Sequence, residues 1–333
     1  MPTLPGFVDL QVNGFLGVDF SRPDLTAESF ALACRELLKR GTVAFLPTLI
    51  TCPISVYRRN LPILAEVMER EEFRGRLLGL HLEGPFISTQ AGAVGAHDPR
   101  YVIPPDLKLL QDLIAWANDQ VRLITLAPEL PGADQLARYA VGKGITVSLG
   151  HTLATAHDMG RLVQAGATAL THLGNGVPNT LPRHDNPIWA GLAQDALSAM
   201  LIADGHHLPA PVLKVMLRAK GTNRCIIVSD ASPVAGMPPG EYVTLGNRAV
   251  LEPSGLLHNP EKGCLVGSSA TLLDCMNHLA RQRWLSFEDM VAVGLRNPLR
   301  LIGLDESAVS VASTVRFDPA AAVFSVEIPE ALR

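Results

Sequence analysis

The chain has 333 residues, of which 47% are hydrophobic and 18% are charged, and its formal net charge is −4. A chain of this length and composition buries a large core, either as one large α/β domain or as two smaller ones. It has no lysine- or arginine-rich run and few aromatic residues. Composition therefore argues against nucleic acid and anionic membranes as partners and favours a small molecule.

Cysteine content and the N-terminal segment bear on the compartment. The five cysteines form no C-x-x-C pair, and their odd number leaves at least one without a partner inside the chain. Such thiols are typical of a reducing compartment, where most serve as small buried hydrophobic side chains. The start, MPTLPGFVDL, has no basic segment followed by an apolar one, and no apolar run reaches about 18 residues. We therefore predict a cytoplasmic protein that does not cross a membrane.

Short apolar segments rich in β-formers recur along the chain, and helical patterns such as GADQLARYAVGKG lie between them. There are eight: FVDLQVNG, TVAFLPTLI, LLGLHLEGP, RLITLAPE, TVSLGH, ATALTHLGN, SAMLIADGHH and CIIVSDA. Eight buried parallel strands with helical crossovers predict a (β/α)8 barrel. A doubly wound open sheet is the alternative, but the chain has no P-loop and no G-x-G-x-x-G after its first strand.

The pattern changes after the eighth segment. Helical patterns around SSATLLDCMNHLARQ and SFEDMVAVGLRNPLRLIG are followed by STVRFD and AVFSVEI, which alternate like a small β-hairpin. The Pro- and Gly-rich pieces ASPVAGMPPGEY and VPNTLPRHDNP follow strands directly, so we expect loops over one mouth of the barrel. We predict a barrel domain over residues 1–305 and a residual C-terminal β segment over 306–333.

Side chains able to bind metal or transfer protons follow the predicted strands directly. They are Gln11, Asn13, His81, Glu83, His151, His172, Asn175, Asp204, His206, His207 and Asp230. The carboxyl ends of barrel strands converge on one face, where active sites of this fold lie. A single histidine at such a position is more often a hydrogen-bonded core or loop residue. The convergence of several is what indicates a functional site.

Two imidazoles and one carboxylate form a ligand set that suits catalytic zinc and leaves one position open for water. Glu83, His151 and His172 can supply this set from three different strands. Water bound to such an ion becomes a usable nucleophile near neutral pH. Asp230, from the last strand, is placed to accept its proton and to return it to a leaving group. The pattern indicates a metal-dependent hydrolase.

The segments HLEGPF, GAH at 95–97, LGHT, THLGN, ADGHH, VSDA and VGSSATL occur in this order. In combination they resemble the N-acetylglucosamine-6-phosphate deacetylase family of the amidohydrolase superfamily, over roughly residues 5–305. The resemblance implies metal-dependent hydrolysis of the N-acetyl amide of an amino sugar, with acetate and glucosamine 6-phosphate as products. It also implies a homodimer as a candidate assembly and one divalent ion per chain, expected to be zinc.

The resemblance gives individual residues a role. It makes Glu83, His151 and His172 the metal ligands and Asp230 the general base and acid. His97 is implied to contact the substrate and polarise the acetyl carbonyl. Further substrate contacts are implied for Ala96, Asn175, Gly176, Arg183 and His207.

Two of these assignments leave alternatives open. His207 aligns with a sugar-binding histidine better than His206 does, and both stay candidates. Arg183 lies 11 residues beyond His172, as a phosphate-binding arginine of the family does, and a guanidinium suits a bidentate phosphate contact. A solvated loop arginine is the other interpretation.

The first strand departs from the superfamily pattern. Amidohydrolases usually carry His-x-His there as ligands of a second metal, whereas this chain has Gln11-x-Asn13. Because an amide is a poorer zinc ligand than imidazole, we predict a mononuclear site in which the two amides only form hydrogen bonds. His81, two residues before Glu83, is expected to orient Glu83 rather than to bind the metal.

Two further departures affect assembly and specificity. Family members usually begin with a segment that joins the C-terminal strands in a small β-sandwich, whereas this chain opens almost directly on PGFVDLQVNG. We expect the sandwich to be absent or reduced to the C-terminal hairpin. Gly176-Val177 also replaces the usual Ala-Met of the substrate loop, which leaves the identity and phosphorylation of the sugar open.

Other functions compete with the deacetylase hypothesis. The same metal site could hydrolyse another N-acyl compound, such as an N-acyl amino acid or an unphosphorylated N-acetyl sugar, or a cyclic amide. A catalytically silent binding barrel is a further alternative, but the joint presence of all three ligands and Asp230 argues against it. A glycosidase that pairs Glu83 with Asp230 leaves the two strand-end histidines unexplained.

Overall fold

The computed structural model describes residues 1–311 and 313–327; residues 312 and 328–333, which include the end of the predicted C-terminal segment, lie outside the described residues. The strands are β1 (Thr3–Leu4), β2 (Phe7–Val12), β3 (Gly14–Phe15), β4 (Val18–Asp19), β5 (Thr42–Ile50), β6 (Leu80–Glu83), β7 (Val121–Leu126), β8 (Thr146–Leu149), β9 (Ala169–Leu170), β10 (Ser198–Ile202), β11 (Cys225–Val228), β12 (Gly240–Thr244), β13 (Asn247–Leu251), β14 (Leu257–Asn259), β15 (Cys264–Leu265), β16 (Thr314–Asp318) and β17 (Val323–Glu327). The α-helices are α1 (Ala27–Leu38), α2 (Ile54–Met68), α3 (Leu107–Trp116), α4 (Ala133–Gly142), α5 (Ala156–Gln164), α6 (Pro187–Ala193), α7 (Ala210–Lys220), α8 (Leu272–Arg281), α9 (Phe287–Val291) and α10 (Asn297–Leu301).

A parallel sheet of eight strands forms the centre of the molecule, in the order β2, β5, β6, β7, β8, β9, β10, β11. Every position of β2 and β5 is buried, as expected for strands covered by helices outside and packed side chains inside. β11 returns to β2 through a parallel bridge between Val12 and Ala231 and a hydrogen bond from Ser229 N to Asp9. The predicted (β/α)8 barrel is confirmed.

The helices between the strands begin where their sequences provide a cap. Thr26, Thr155 and Thr271 each accept a hydrogen bond from a backbone N–H in the first turn of α1, α5 and α8. These three helices bury one face against the barrel and leave the other in solvent. Among the residues that the structure describes, no helix is both long enough and apolar enough to span a bilayer.

A three-stranded antiparallel sheet lies beside the barrel. The expected hairpin is present as β16 and β17, and β1 pairs with β16 as a third strand that the sequence pattern did not indicate. Phe324 of β17 meets Phe7 at the start of β2 edge to face, with ring centroids 5.0 Å apart. This sheet therefore packs at the end of the barrel where its strands begin. The division at residue 305 stays a prediction.

A four-stranded antiparallel sheet, β12 to β15, occupies residues 240–265 after the last barrel strand. We expected a loop over ASPVAGMPPGEY, and for its last three residues, 240–242, which open β12, that expectation was wrong. The error has a physical cause, because β12 is mostly solvent-exposed and shows no apolar run. Residues 262–265, at the end of this sheet, help to line the cavity at the barrel mouth.

Candidate active site

A cavity of about 790 Å³ opens at the carboxyl ends of the barrel strands. It gathers most of the residues singled out from the sequence, which come from segments far apart in the chain. Those that line it are Asn13, Glu83, Ala96, His97, His151, His172, Asn175, Gly176, His207 and Asp230. Gln11, His81 and Arg183 do not line it. Thus the strand ends do converge on one face.

Glu83 and two histidines form the most compact cluster in this cavity. Glu83 Oε1 lies 2.8 Å from His172 Nε2 and 3.2 Å from His151 Nε2, and the two nitrogens are 3.1 Å apart. All three side chains are buried. The carboxylate and at least one imidazole nitrogen are acceptors, because His151 Nδ1 donates to Ala93 O, so a cation shared by the three side chains would stabilise the cluster.

The donor set fits one divalent metal ion. Ligand atoms of Glu83, His97 and His151 lie within 4.8 Å of one another, and His172 Nε2 lies 2.8 Å from Glu83 Oε1, so either His97 or His172 could complete a ligand set with Glu83 and His151. Carboxylate oxygen and imidazole nitrogen are ligands that zinc and several other divalent ions accept. Without such an ion, the hydrogen bond and charge of Glu83 overcome the effect of burial and raise the pKa of His172. Burial would raise the pKa of Glu83, but the two histidines hold it well below its usual range.

His97 and His151 differ in the nitrogen they present to the cluster. His151 Nδ1 lies 2.8 Å from Ala93 O and donates to it, which leaves the Nε2 lone pair free for a metal. His97 Nδ1 instead accepts from Thr51 N at 3.3 Å, so its neutral ring carries the proton on Nε2, 3.8 Å from Glu83 Oε2. His151 is therefore arranged as a ligand and His97 as a donor.

Burial keeps His97 neutral. Burial, followed by repulsion from His151, lowers the pKa of His97 to about 3 against the opposing effect of Glu83. His97 therefore retains its donor tautomer near neutral pH.

Three of the site residues have left-handed backbones. His151, His172 and Asp230 have φ of 50°, 29° and 50°, and each lies two residues beyond the end of its strand. For residues other than glycine this conformation is strained, and it persists only where the surroundings fix it. The chain therefore turns sharply at three strand ends to bring these side chains over the barrel mouth.

The end of β2 and the residue that follows it supply donors to Asp230. Asn13 Nδ2 and Gln11 Nε2 both donate to Asp230 Oδ1, at 2.7 and 3.0 Å, and Gln11 Nε2 also donates to Glu83 Oε1 at 2.8 Å. The carbonyl oxygens of both amides are buried without a hydrogen-bond partner among the described residues. Burial, followed by the charge of Glu83, raises the pKa of Asp230 to about 6. The amides thus hold a carboxylate that is ready to exchange a proton near neutral pH.

His81 does not contact Glu83 as we expected. Its Nε2 lies 2.8 Å from Thr125 Oγ1 and its Nδ1 3.3 Å from Thr48 Oγ1, inside the barrel. Residues two apart on a strand share a face but are separated by almost two residue rises, too far for a hydrogen bond here. Gln11, not His81, is the side chain that donates to Glu83.

Gly176 passes directly over the metal cluster. Its φ is +61°, and a Cβ there would lie 3.0 Å from His151 Nδ1 and 3.1 Å from His172 Cε1. A Cβ at this close approach would require the loop or the imidazole rings to shift slightly, so glycine lets the backbone lie against both histidines. The neighbouring Asn175 has a buried Nδ2 without a hydrogen-bond partner among the described residues, and it lines the cavity.

The structure separates the two histidines of ADGHH. His207 lines the cavity, and its Nδ1 lies 2.7 Å from Asp204 Oδ2, which fixes the ring. His206 turns away and contacts Ser254 O at 3.1 Å. Burial would raise the pKa of Asp204, but the hydrogen bonds and charge of His207, together with the His206 backbone N–H, outweigh burial and lower it to about 2. His207 is therefore the one of the two that a bound ligand can reach.

Arg183 is exposed and lies on the loop before α6. Its carbonyl oxygen accepts from Trp189 Nε1 at 3.0 Å, which ties the backbone of this loop to the helix. The side chain lies outside the cavity wall of its own chain.

Two parts of the site had no sequence signal that we recognised. Lys262 and Cys264, from the sheet over the mouth, line the cavity, but no strand pattern pointed to them. The backbone N–H of Thr51 sets the tautomer of His97. Because any residue other than proline has such an N–H, the residue type at position 51 does not indicate this role. Asp9 lies in the segment VDLQVNG, on the same strand as Gln11, and this position was the sequence signal that could have indicated a role near the site.

No family model matches the chain. It is 37% identical over 316 residues to the N-acetylglucosamine-6-phosphate deacetylase of Bos taurus, covering 91% of this chain and 75% of that protein. It is 30% identical over 304 residues to the N-acetylgalactosamine-6-phosphate deacetylase of Escherichia coli O157:H7, covering 90% and 78%. A mutant N-acetyl-D-glucosamine-6-phosphate deacetylase from Mycobacterium smegmatis, solved in complex with N-acetyl-D-glucosamine-6-phosphate, matches with a TM-score of 0.85 at 27% identity, covering 98% and 85%.

The fold and the cluster at its mouth are those of a barrel hydrolase with a candidate metal centre. The chain belongs to the N-acetylglucosamine-6-phosphate deacetylase family, and it is an enzyme. The resemblance drawn from its motifs is confirmed.

Proposed function

We propose that the chain hydrolyses the N-acetyl amide of N-acetylglucosamine 6-phosphate to acetate and glucosamine 6-phosphate. The observation that carries this proposal is that one cavity joins the cluster of Glu83, His151 and His172 to the buried carboxylate of Asp230. A hydrolase needs both a polarising group and a base within reach of one scissile bond. The named activity of the relatives supplies the substrate.

Glu83, His151 and His172 would hold one divalent ion, and zinc suits this ligand set. The ion would polarise the amide carbonyl and lower the pKa of a water molecule. His151 is fixed as a ligand because its Nδ1 donates to Ala93 O. Gln11 supports Glu83 with a hydrogen bond rather than as a ligand of a second ion, so one ion per chain is expected.

Asp230 serves as the general base and then as the general acid. Its carboxylate takes a proton from the attacking water as the C–O bond forms, and gives that proton to the amide nitrogen as the C–N bond breaks. The acetyl group leaves as acetate and the nitrogen as the amine of the sugar. Asn13 and Gln11 hold Oδ1, so the second carboxylate oxygen is free to carry the proton.

His97 contacts the substrate from the cavity wall. Its neutral ring presents Nε2–H, which donates to the carbonyl oxygen of the acetyl group as negative charge develops there. Ala96, beside it, lines the cavity, and its carbonyl oxygen is fixed by Asn247 Nδ2 at 2.7 Å. This wall orients the amide against Asp230.

The rest of the sugar faces Asn175, Gly176 and His207, which line the same cavity. The unpartnered Nδ2 of Asn175 and the ring of His207 are available to substrate oxygens. We assign Arg183 to the phosphate. Because this arginine lies outside the cavity of its own chain, its contact requires movement of its loop or a second copy in a homodimer.

N-acetylgalactosamine 6-phosphate is the second candidate substrate. The observation that favours it is the 30% identity to the E. coli O157:H7 relative that carries this activity in its name. The two sugars differ only in the orientation of one hydroxyl group, and either presents the same amide to the cluster.

We assign the protein to the cytoplasm. Cys34, Cys52, Cys225 and Cys275 are buried free thiols, and Cys264 is a half-buried one. Free thiols in this number are typical of a reducing compartment.

The direct test measures acetate release from the two phosphosugars and from unphosphorylated N-acetylglucosamine, with zinc-loaded protein of known metal content. We expect fastest turnover of N-acetylglucosamine 6-phosphate and about one metal per chain. Faster turnover of the galactosamine compound would move the assignment to the second candidate. Silence on all three, with metal bound, would reject the deacetylase proposal and keep the hydrolase site.

The phosphate role of Arg183 has its own test. Arg183→Ala should raise KM for the phosphosugar by roughly tenfold or more, since it removes a charge-assisted contact to the phosphate. Turnover of the unphosphorylated sugar should not change. Arg138→Ala, which removes another exposed arginine whose side chain pairs with Asp134, is the matched control. Equal effects on both sugars would contradict the assignment.

A further inference from the structure

Asp9 lies in β2, and its side chain is completely buried beside the candidate active site without lining the cavity. Its carboxylate accepts hydrogen bonds from Ser229 N at 3.1 Å, from Gln11 N at 3.3 Å and from Ser229 Oγ. A buried carboxylate is costly unless several donors reach it. Two of the three donors here belong to the residue that directly precedes Asp230.

The Asp9–Ser229 contact crosses the seam where β11 returns to β2. Ser229 Oγ also accepts from Ala231 N at 3.0 Å, so one hydroxyl group ties together the residues on both sides of Asp230. Ala231 O in turn accepts from Asn13 N at 2.8 Å. The backbone around Asp230 is thus fastened to the first strand at several points, and Asp9 provides the buried acceptor among them.

Asp230 needs such fastening because its backbone is left-handed, with φ of 50°. This conformation is unfavourable for an L-residue, and a strained corner of this kind persists only where neighbouring groups determine it. If the corner relaxes to an extended backbone, the Asp230 carboxylate turns away from Asn13 and Gln11. A general base displaced by about 1 Å loses much of its effect.

We propose that Asp9 is a positioning residue that acts through Ser229 to hold the Asp230 carboxylate toward the cavity. The proposal rests on the base role assigned to Asp230 under the proposed function. It adds a third residue of the first strand to the two amides, with a different task. Gln11 and Asn13 hold the carboxylate itself, whereas Asp9 holds the backbone that carries it.

The competing explanation is that the Asp9–Ser229 contact only stabilises the seam between β11 and β2. The strand that leads to Ser229, β11, offers a matched control. Asn297 is buried and donates from Nδ2 to Cys225 O at 2.8 Å and to Thr222 O at 2.7 Å. It therefore secures the beginning of β11 as Asp9 secures the end. Asn297→Ala removes buried hydrogen bonds from the same strand without touching the Asp230 corner.

The kinetic test compares Asp9→Ala, Asp9→Asn and Asn297→Ala on metal-loaded protein. We expect Asp9→Ala to lower kcat by roughly 10- to 100-fold, the usual cost of losing a group that orients a site residue. KM and bound metal should stay unchanged. Asp9→Asn should restore most of kcat, because its amide oxygen still accepts from Ser229 N. Asn297→Ala should keep kcat within about threefold of wild type even if it melts earlier. Equal losses in Asp9→Ala and Asn297→Ala would overturn the proposal.

A second variant and a second readout keep the test decisive if Asp9→Ala does not fold or if the wild type is silent on the phosphosugar. Ser229→Ala removes only the hydroxyl group, and we expect it to lower kcat in the same direction as Asp9→Ala. Crystal structures of wild type and Ser229→Ala show the backbone conformation at Asp230 without any substrate. Loss of the Asn13 and Gln11 hydrogen bonds to Asp230 supports the proposal, and an unmoved Asp230 rejects it. If the wild type does not turn over the phosphosugar but its Asp230 hydrogen bonds are intact, only the proposed function is rejected.

Discussion

The barrel mouth has two halves whose hydrogen-bonding needs are opposite. The metal half, built on β6, β8 and β9, brings Glu83, His151 and His172 together with too many acceptors. The base half, built on β2 and β11, surrounds Asp230 with amide donors. Crowded acceptors favour a shared cation, whereas the amide donors partly offset the burial that raises the pKa of Asp230 to about 6. The proposed function assigns the first half to a metal ion and the second to proton transfer.

Gln11 joins the two halves. Its Nε2 donates both to Glu83 Oε1 and to Asp230 Oδ1, so the ligand carboxylate and the base carboxylate share one amide. A histidine at this position would instead offer a lone pair to a second metal. The replacement of that imidazole by an amide is consistent with one ion and one base in place of two ions. The predictions below test whether the halves can be disrupted separately, beginning with the largest effect.

Asp230→Asn should disrupt the base half alone. An amide cannot accept the water proton, so we expect kcat to fall by roughly 10²- to 10⁴-fold, the usual contribution of a general base. Asp230 is not one of the three proposed metal ligands, so bound metal should stay near one per chain. Acetate release and metal analysis on the same sample measure both. An active, metal-replete Asp230→Asn protein would refute the base role.

Glu83→Gln should disrupt the metal half. Loss of the carboxylate removes the anionic ligand and the acceptor of two imidazoles, so we expect bound metal and activity to fall together by about tenfold or more. Glu252→Gln, at a half-exposed carboxylate paired with His258, is the control. Metal content by elemental analysis, before and after dialysis, gives the result. Full metal retention in Glu83→Gln would show that the ligand set is different.

The sequence predicted the metal half more completely than the base half. The metal half follows from strand ends, because Glu83, His151 and His172 each directly follow an apolar segment and carry ligand side chains. Convergence in a parallel barrel then places them together without further information. The eight strands were predictable for the same reason, since buried parallel strands are continuous apolar runs.

The rest depends on contacts that residue type does not encode. That His97 differs from His151 follows from which backbone atom each Nδ1 meets, and both partners lie in loops. That His81 misses Glu83 follows from the rise along a strand and from two threonine hydroxyl groups nearby. The sheet over the mouth escaped prediction because its first strand is exposed and has no apolar pattern.

The pH dependence of kcat/KM should report the base half. Asp230 acts as a base only when deprotonated, and its pKa is raised to about 6, chiefly by burial. Activity should therefore be complete above this value and fall about tenfold per pH unit below it. A bound cation favours the carboxylate, so the acid limb of the loaded enzyme should lie at or below pH 6. An acid limb clearly above pH 7 would assign the base to another group.

Gly176→Ala offers the finest separation of the two halves, because it presses on the imidazoles and leaves Asp230 untouched. The new Cβ would lie 3.0 Å from His151 Nδ1 at φ +61°, so either the loop or the ring must move. Gly144→Ala is the matched control, since its φ of +75° carries the same backbone strain with no atom within 4 Å. Both variants should lose about 1 kcal/mol of stability from the left-handed backbone. Only Gly176→Ala should also weaken metal binding, by several-fold, because a displaced ring no longer points its lone pair at the ion. Equal metal affinity in the two variants would mean that the loop moves and the imidazoles stay in place. The displaced loop should then weaken substrate binding, measured as a higher KM.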